Sequence, residues 1–148
     1  MSIFGAFNIN ASGMTAERYR MDVIAENVAN ANTTRTAKGE PYRRKVVTFE
    51  EKKATPATFS SYLGHASEQY TGQGVKVSAV SEDTYTQMKM VYDPSHPDAD
   101  ENGYVMYPNV DIVTEMTNLI DASRSYEANA TAFQASKSIA MKGLEKGS

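Results

Sequence analysis

The run VDIVTEMTNLIDASRSYEANATAFQASKSIAMKGL, Val110 to Leu144, decides the fold. Along it Ile112, Met116, Leu119, Tyr126, Ala130, Phe133, Ala140 and Leu144 recur in alternating steps of four and three, with Ser123 and Lys137 off pattern. Such spacing lays a stripe along one side of an α-helix, a seam that another helix can cover. Pro108-Asn109 offers a start, with Asn109 as the cap and Asp111 in the first turn, where a carboxylate favours the helix dipole; Gly143 or Gly147 offers a stop. At 1.5 Å per residue the helix is ~50 Å long. A compact chain of this size has an expected radius of gyration of ~15 Å and spans only about 38 Å. The helix outgrows its own globule, which calls for cover from other copies.

The amino end shows the same periodicity at Phe7, Ala11, Met14, Met21, Ala25 and Val28, interrupted by Arg18. A chain of 41% hydrophobic content would place about three apolar residues on those seven positions by chance. This second seam runs into MDVIAENVANANTTRT, Met21 to Thr36, where Asn27, Asn30 and Asn32 each cost a helix interior roughly 0.7 kcal/mol relative to alanine. Two readings are open. The asparagines end the helix by tolerating left-handed backbone, or their amides bond to adjacent backbones and fix register in a crowded packing, at some cost in stability.

Between the ends the chain changes to β-forming residues. YRRKVVTFEE (Tyr42 to Glu51), GVKVSAV (Gly74 to Val80), TYTQMKMVYD (Thr84 to Asp93) and GYVMYPNV (Gly103 to Val110) read as strands, with Val75 and Val77 on one face and Met88, Met90 and Tyr92 on another. RTAKGEP (Arg35 to Pro41) and SYLGHASEQYTGQG (Ser61 to Gly74) read as connections, the second a mobile one. The fold class is therefore α+β: long N- and C-terminal helices forming a coiled-coil-like layer, residues 1–34 and 109–148, with a small antiparallel β module over 35–108.

The totals remove several functions. With 15 basic against 18 acidic residues and a formal charge of −3, the chain has no general attraction for nucleic acid. It has no cysteine, hence no disulfide, thiolate metal site or cysteine nucleophile. The first basic residue is Arg18, no apolar run reaches membrane-spanning length, and any export has to bypass a cleaved signal peptide. His65 and His96 stand apart from any second histidine or serine elbow, so neither forms a ligand pair or a catalytic triad. The sharpest local pattern is Asp98, Asp100, Asn102, Gly103, the opening half of a calcium loop and the basis of an alternative reading as a calcium-binding interaction module. Its twelfth position is Asn109 rather than a bidentate glutamate, and a rigid polar turn explains it equally. A cell-wall hydrolase finds no catalytic carboxylate pair. The basic stretch Arg35 to Lys53 is a solvated strand face, or it meets the acidic Asp98 to Glu101 of another copy.

ENVANANTTRT (Glu26 to Thr36) and NVDIVTEMTNLIDASRSYEANATAF (Asn109 to Phe133) together resemble the paired terminal signatures of bacterial flagellar axial proteins, the rod, hook and hook-associated subunits. The stretch YDPSHPDADENGYVMYPNVD, Tyr92 to Asp111, is similar to the proximal rod subunits of that family, and the short length suits them. The resemblance covers most of the chain and shows no departure in these motifs. It implies a structural subunit and not an enzyme, with no cofactor and no metal. It implies export by the flagellar type III apparatus without signal cleavage, and helical assembly into a periplasmic rod that carries motor torque. The terminal helices would form the inner layer, the asparagine segment lying in its contact region. Expected partners are copies of the chain, other proximal and distal rod proteins and the export-gate adaptor of the basal body.

Overall fold

The computed structural model describes residues 3–52 and 72–145, with side chains from Gly5 onward. Helix α1 spans Ile3–Ala29; strands β1 (Lys45–Glu51), β2 (Val75–Glu82), β3 (Lys89–Tyr92) and β4 (Tyr104–Tyr107) follow; helix α2 spans Ile112–Glu145. The α+β reading holds, with long helices at both ends and a small antiparallel β module between them. The connection Ser61 to Gly74 lies largely outside the described residues, and His65 lies wholly outside them.

Asp111, not Asn109, caps α2. Its carboxylate accepts the Thr114 hydroxyl at 2.8 Å, its carbonyl accepts the Glu115 amide, and Ile112 is the first helical residue. The Thr114 hydroxyl, followed by the Val113 amide, the nearby Lys89 ammonium and the Thr114 amide, holds the Asp111 carboxyl below its usual pKa, keeping negative charge at the positive end of the helix. Asn109 is drawn elsewhere. Its oxygen accepts the Arg44 amide and its nitrogen donates to the carbonyls of Asp83 and Thr86, so it ties the approach to α2 onto the start of β1 and the turn after β2.

The two helices lie antiparallel against each other. Asn27 reaches Glu115 and Gly13 lies against Asn129; fourteen residues separate each pair of positions on its own helix, so one register holds along the contact. The approach is close enough that a Cβ on Gly13 would stand 2.8 Å from the Asn129 amide oxygen. Glycine costs a helix interior about 1 kcal/mol, and here the cost is offset by packing that a side chain would block. Phe7 and Phe133 pack with their rings tilted and centroids 5.0 Å apart farther along.

β1 and β2 pair antiparallel with a shift in register at Thr48/Phe49, and β3 and β4 form a second, separate two-stranded sheet. Such ribbons are marginal alone and need a layer beneath them. For β1–β2 that layer is α1, reached where Ser12 Oγ accepts the Val75 amide at 3.0 Å while donating to the Ile9 carbonyl. Gly74 makes this contact possible: its φ is +92°, and a Cβ there would overlap Ser12 Oγ. The β3–β4 ribbon instead buries Val105 and runs through the buried Pro108 to Val110, which packs with Ala31 and Tyr42.

Gly74 and Gly39 both have positive φ, but nothing lies within 4 Å of a Cβ built on Gly39. We therefore expect Gly39→Ala to lose about 1 to 2 kcal/mol from backbone strain alone. Gly74→Ala should lose distinctly more, because it also evicts Ser12. Urea unfolding of the two variants side by side checks the order.

Candidate assembly interface

The centre of the molecule is polar. Asn27, 1% exposed, uses its whole hydrogen-bonding capacity: Nδ2 donates to the Lys45 carbonyl and to Glu115 Oε2, both at 2.9 Å, while Oδ1 accepts the Tyr42 hydroxyl at 2.9 Å and the Lys45 amide at 2.8 Å. Glu115, fully buried on the first turn of α2, accepts Arg44 Nε at 2.7 Å on its other oxygen. Arg44 Nη1 lies 3.6 Å from the Asp83 carboxylate. Asp83 is itself held below its usual pKa, chiefly by the Thr86 amide and hydroxyl, and its Oδ1 also accepts the Tyr85 amide. One cluster thus ties α1, the start of β1, the turn after β2 and α2 together.

Burial, then the nearby carboxylates of Glu26, Glu115 and Glu82, push the Tyr42 phenol up to about 12. The neutral phenol is the form that donates to Asn27.

The other two asparagines sit differently. Asn30 closes the end of α1, its amide donating to the Glu26 carbonyl and its oxygen accepting the Thr33 hydroxyl. Asn32 is exposed beside a groove. Among the described residues no non-glycine residue has positive φ, so the segment ends the helix through these side-chain bonds without left-handed backbone.

The fully buried residues of the two helices stand one or two positions from the expected seam positions. On α1 the buried residues are Gly13, Ala16, Val23, Ile24 and Asn27; Phe7, Met14, Met21 and Val28 are half-buried at the margin, and Ala11 and Ala25 are exposed. On α2 Glu115 and Ala122 are buried and Leu119, Tyr126, Ala130, Phe133 and Ala140 half-buried, while Ile112, Met116 and Leu144 are exposed. Beside the apolar Ala16, Val23, Ile24 and Ala122, the rows in contact inside the chain hold Gly13, Asn27 and Glu115, which a count of apolar residues passes over.

Many of the large apolar side chains are outside. Ile112, Val113, Met116 and Ile120 line the exposed start of α2, and Met90, Tyr92, Tyr104 and Met106 cover one face of the β3–β4 ribbon. Tyr85, 97% exposed, stands on the turn that Asp83 braces. Contiguous apolar surface of this kind marks a site of association.

Asp98 faces inward, accepting the Thr34 hydroxyl at 2.8 Å and pairing with Arg35 at 3.1 Å, and Asp100 accepts the amides of Asn102 and Tyr104. The segment closes as a polar turn, with Gly103 supplying a φ of +82°. Among the described residues no cluster of three acidic or histidine side chains could hold a metal ion. His96 accepts the Asp98 amide and packs edge-on to Tyr107.

Comparison with known proteins gives this arrangement a class. Residues 7–35 match the family described as flagella basal body rod protein, and residues 101–145 the C-terminal family of flagellar basal body rod FlgEFG proteins. The flagellar basal-body rod protein FlgC of Bacillus subtilis is 46% identical over 153 residues, covering 99% of both chains. Its counterpart in Borreliella burgdorferi is 41% identical over 94% of this chain and 93% of its own, and that of Salmonella typhimurium 41% identical over 99% of both. The chain belongs to the FlgC family of flagellar basal-body rod proteins, which are structural proteins and not enzymes.

Asn27→Ala leaves Glu115, Tyr42 and the Lys45 backbone each short of a partner and should cost about 3 to 5 kcal/mol. Asn30→Ala, at an exposed helix end, should stay within about 0.5 kcal/mol, both read by urea unfolding. For Tyr42 the folded pKa of about 12 lies above the unfolded value near 10, so its contribution is intact below about pH 10 and lost as pH rises through about 12. Stability measured from about pH 9 to about pH 11.5 should fall more steeply in the parent chain than in Tyr42→Phe.

Proposed function

We propose that the chain is a subunit of the flagellar proximal rod, polymerising helically with copies of itself and with other proximal and distal rod proteins into the shaft that carries torque across the periplasm. Residues 1–34 and 109–148 would form the inner axial layer and 35–108 the outer module. Passage through the flagellar type III channel without signal cleavage, and contact with the export-gate adaptor, belong to the same proposal. A cysteine-free chain has no disulfide to undo before threading. Among the described residues no helix is long and apolar enough to cross a membrane.

The observation that carries the reading is the exposed apolar row Val113, Met116 and Ile120 on a helix whose fully buried residues are Glu115 and Ala122. Covering each such side chain contributes about 1.5 to 3 kcal/mol. Inside one chain these residues gain little of it; between copies they gain most. A surface that met only water would hold this row at a standing risk of aggregation, and the family's rod membership supplies a neighbour to cover it.

Met116→Glu combined with Ile120→Glu tests this without touching the buried cluster. Urea unfolding of the purified variant should match the parent within about 1 kcal/mol, as for exposed positions. In cells lacking the parent gene, the variant should fail to assemble into basal bodies and fail to restore swimming. Normal swimming would remove the row from the interface.

A further inference from the structure

The β3–β4 ribbon is held differently from β1–β2. It shares no ladder with β1–β2, and among the described residues the backbones of both helices and of β1 and β2 stay clear of it. Hydrogen bonds and ion pairs from β3, β4 and the turn between them to other segments fall, among the described residues, at two places. At the base Lys89 Nζ donates to the Val110 carbonyl at 3.4 Å, and Asn109, just past β4, is fixed to Arg44, Asp83 and Thr86. At the far end Asp98, on the turn, accepts the Thr34 hydroxyl at 2.8 Å and faces Arg35 Nε at 3.1 Å, which clips the turn to the segment that leaves α1.

Space is left beneath the ribbon. Val91 and Val105 are partners across the ladder and so share one face with the pair Lys89 and Tyr107. Val105 on that face is buried, but Val91 is 45% exposed, and a groove of about 310 Å³ opens between Val91, Tyr107, Ala31, Val110 and Ile112. The opposite face carries the exposed Met90, Tyr92, Tyr104 and Met106.

We infer that the ribbon is a hinged arm, which pivots at Asn109 and is held at its present angle by the clip of Thr34 and Arg35 on Asp98. The two attachments differ in what their loss would take with it. Asn109 is 5% exposed and its bonds run into the cluster that joins the helices, so the base cannot open without loosening the centre. The clip is peripheral. The Arg35 side chain is 67% exposed, and an ion pair so placed is weak and screened by salt. Its loss frees the far end of the ribbon while the β3–β4 ladder and the bonds of Asn27 stay whole. Low-stability units of this kind open ahead of the rest of a fold. The groove gives the arm room to move without driving side chains into packed atoms. The clip therefore sets where the exposed face of Met90, Tyr92, Tyr104 and Met106 points relative to the helices. This holds for the chain alone, whether or not it enters a rod.

The absence of native cysteine makes a clean test possible. In the purified full chain, spin labels on Met106→Cys and Asp121→Cys report the distance from the arm to α2, and labels on Arg18→Cys and Glu127→Cys report the distance between the helices; all four positions are exposed. Pulsed electron spin resonance of the otherwise native chain should give a single narrow distance for each pair. Asp98→Ala removes the acceptor of both clip bonds, and the arm distance should then lose its single narrow peak while the helix distance keeps its own. Thr34→Val combined with Arg35→Gln removes the same bonds from the other side and should do the same, which covers the case in which Asp98→Ala disturbs its turn. An arm distance that stays as narrow as before in both clip variants overturns the inference. Broadening of the helix distance along with the arm distance in both variants overturns it too, because the clip would then belong to the central fold and not to a hinge.

Discussion

The side-chain amide of Asn27 is the interaction on which the other elements depend. It is the point where α1, the start of β1 and the first turn of α2 become one body, through four hydrogen bonds made by a single planar group. No other side chain of that size would serve. Aspartate offers no donor and would set a second carboxylate against Glu115; leucine would leave the Lys45 amide and carbonyl, the Tyr42 hydroxyl and Glu115 stranded. A buried ion pair such as Glu115 with Arg44 carries a desolvation penalty of several kcal/mol per ion, so its net value is small unless every remaining lone pair and proton is met. Here Asn27 donates to the second Glu115 oxygen, and Arg44 also faces the Asp83 carboxylate. The cluster therefore contributes less raw stability than an apolar core of the same volume would, and it defines one relative placement of the helices and the module far more sharply.

That exchange explains where the apolar residues went. The interior near the junction mixes small and polar groups with an apolar part of Val23, Ile24, Val105, Val110, Ala31 and Tyr42. Met90, Met106, Met116, Ile120 and Val113 are left on the surface. A subunit built this way holds its shape by directional bonds and keeps its hydrophobic driving force in reserve for contacts with neighbours. Its isolated stability should be modest, because backbone ordering costs ~1 to 2 kcal/mol per residue and much of the compensating burial is deferred.

The same exchange sets what could be read in the residues beforehand. The long helices were visible because their periodicity survives substitution of individual positions, and the four strands were visible because β-branched and aromatic residues cluster between turn signals. The face of each helix was harder. Gly13, Asn27, Glu115 and Asn129 stand in the row in contact beside Ala16, Val23, Ile24 and Ala122, and counting apolar residues picks out their neighbours Met14, Val28, Met116 and Ala130 instead. Asn109 looked like a cap because it precedes a helical run, yet its amide is taken up by Arg44, Asp83 and Thr86, partners distant in sequence, and the cap passes to Asp111. Glu115 carried no signal of its own beyond standing three or four residues from Ile112 and Leu119. Two charged or polar residues 88 positions apart in sequence have no local pattern that announces their pairing.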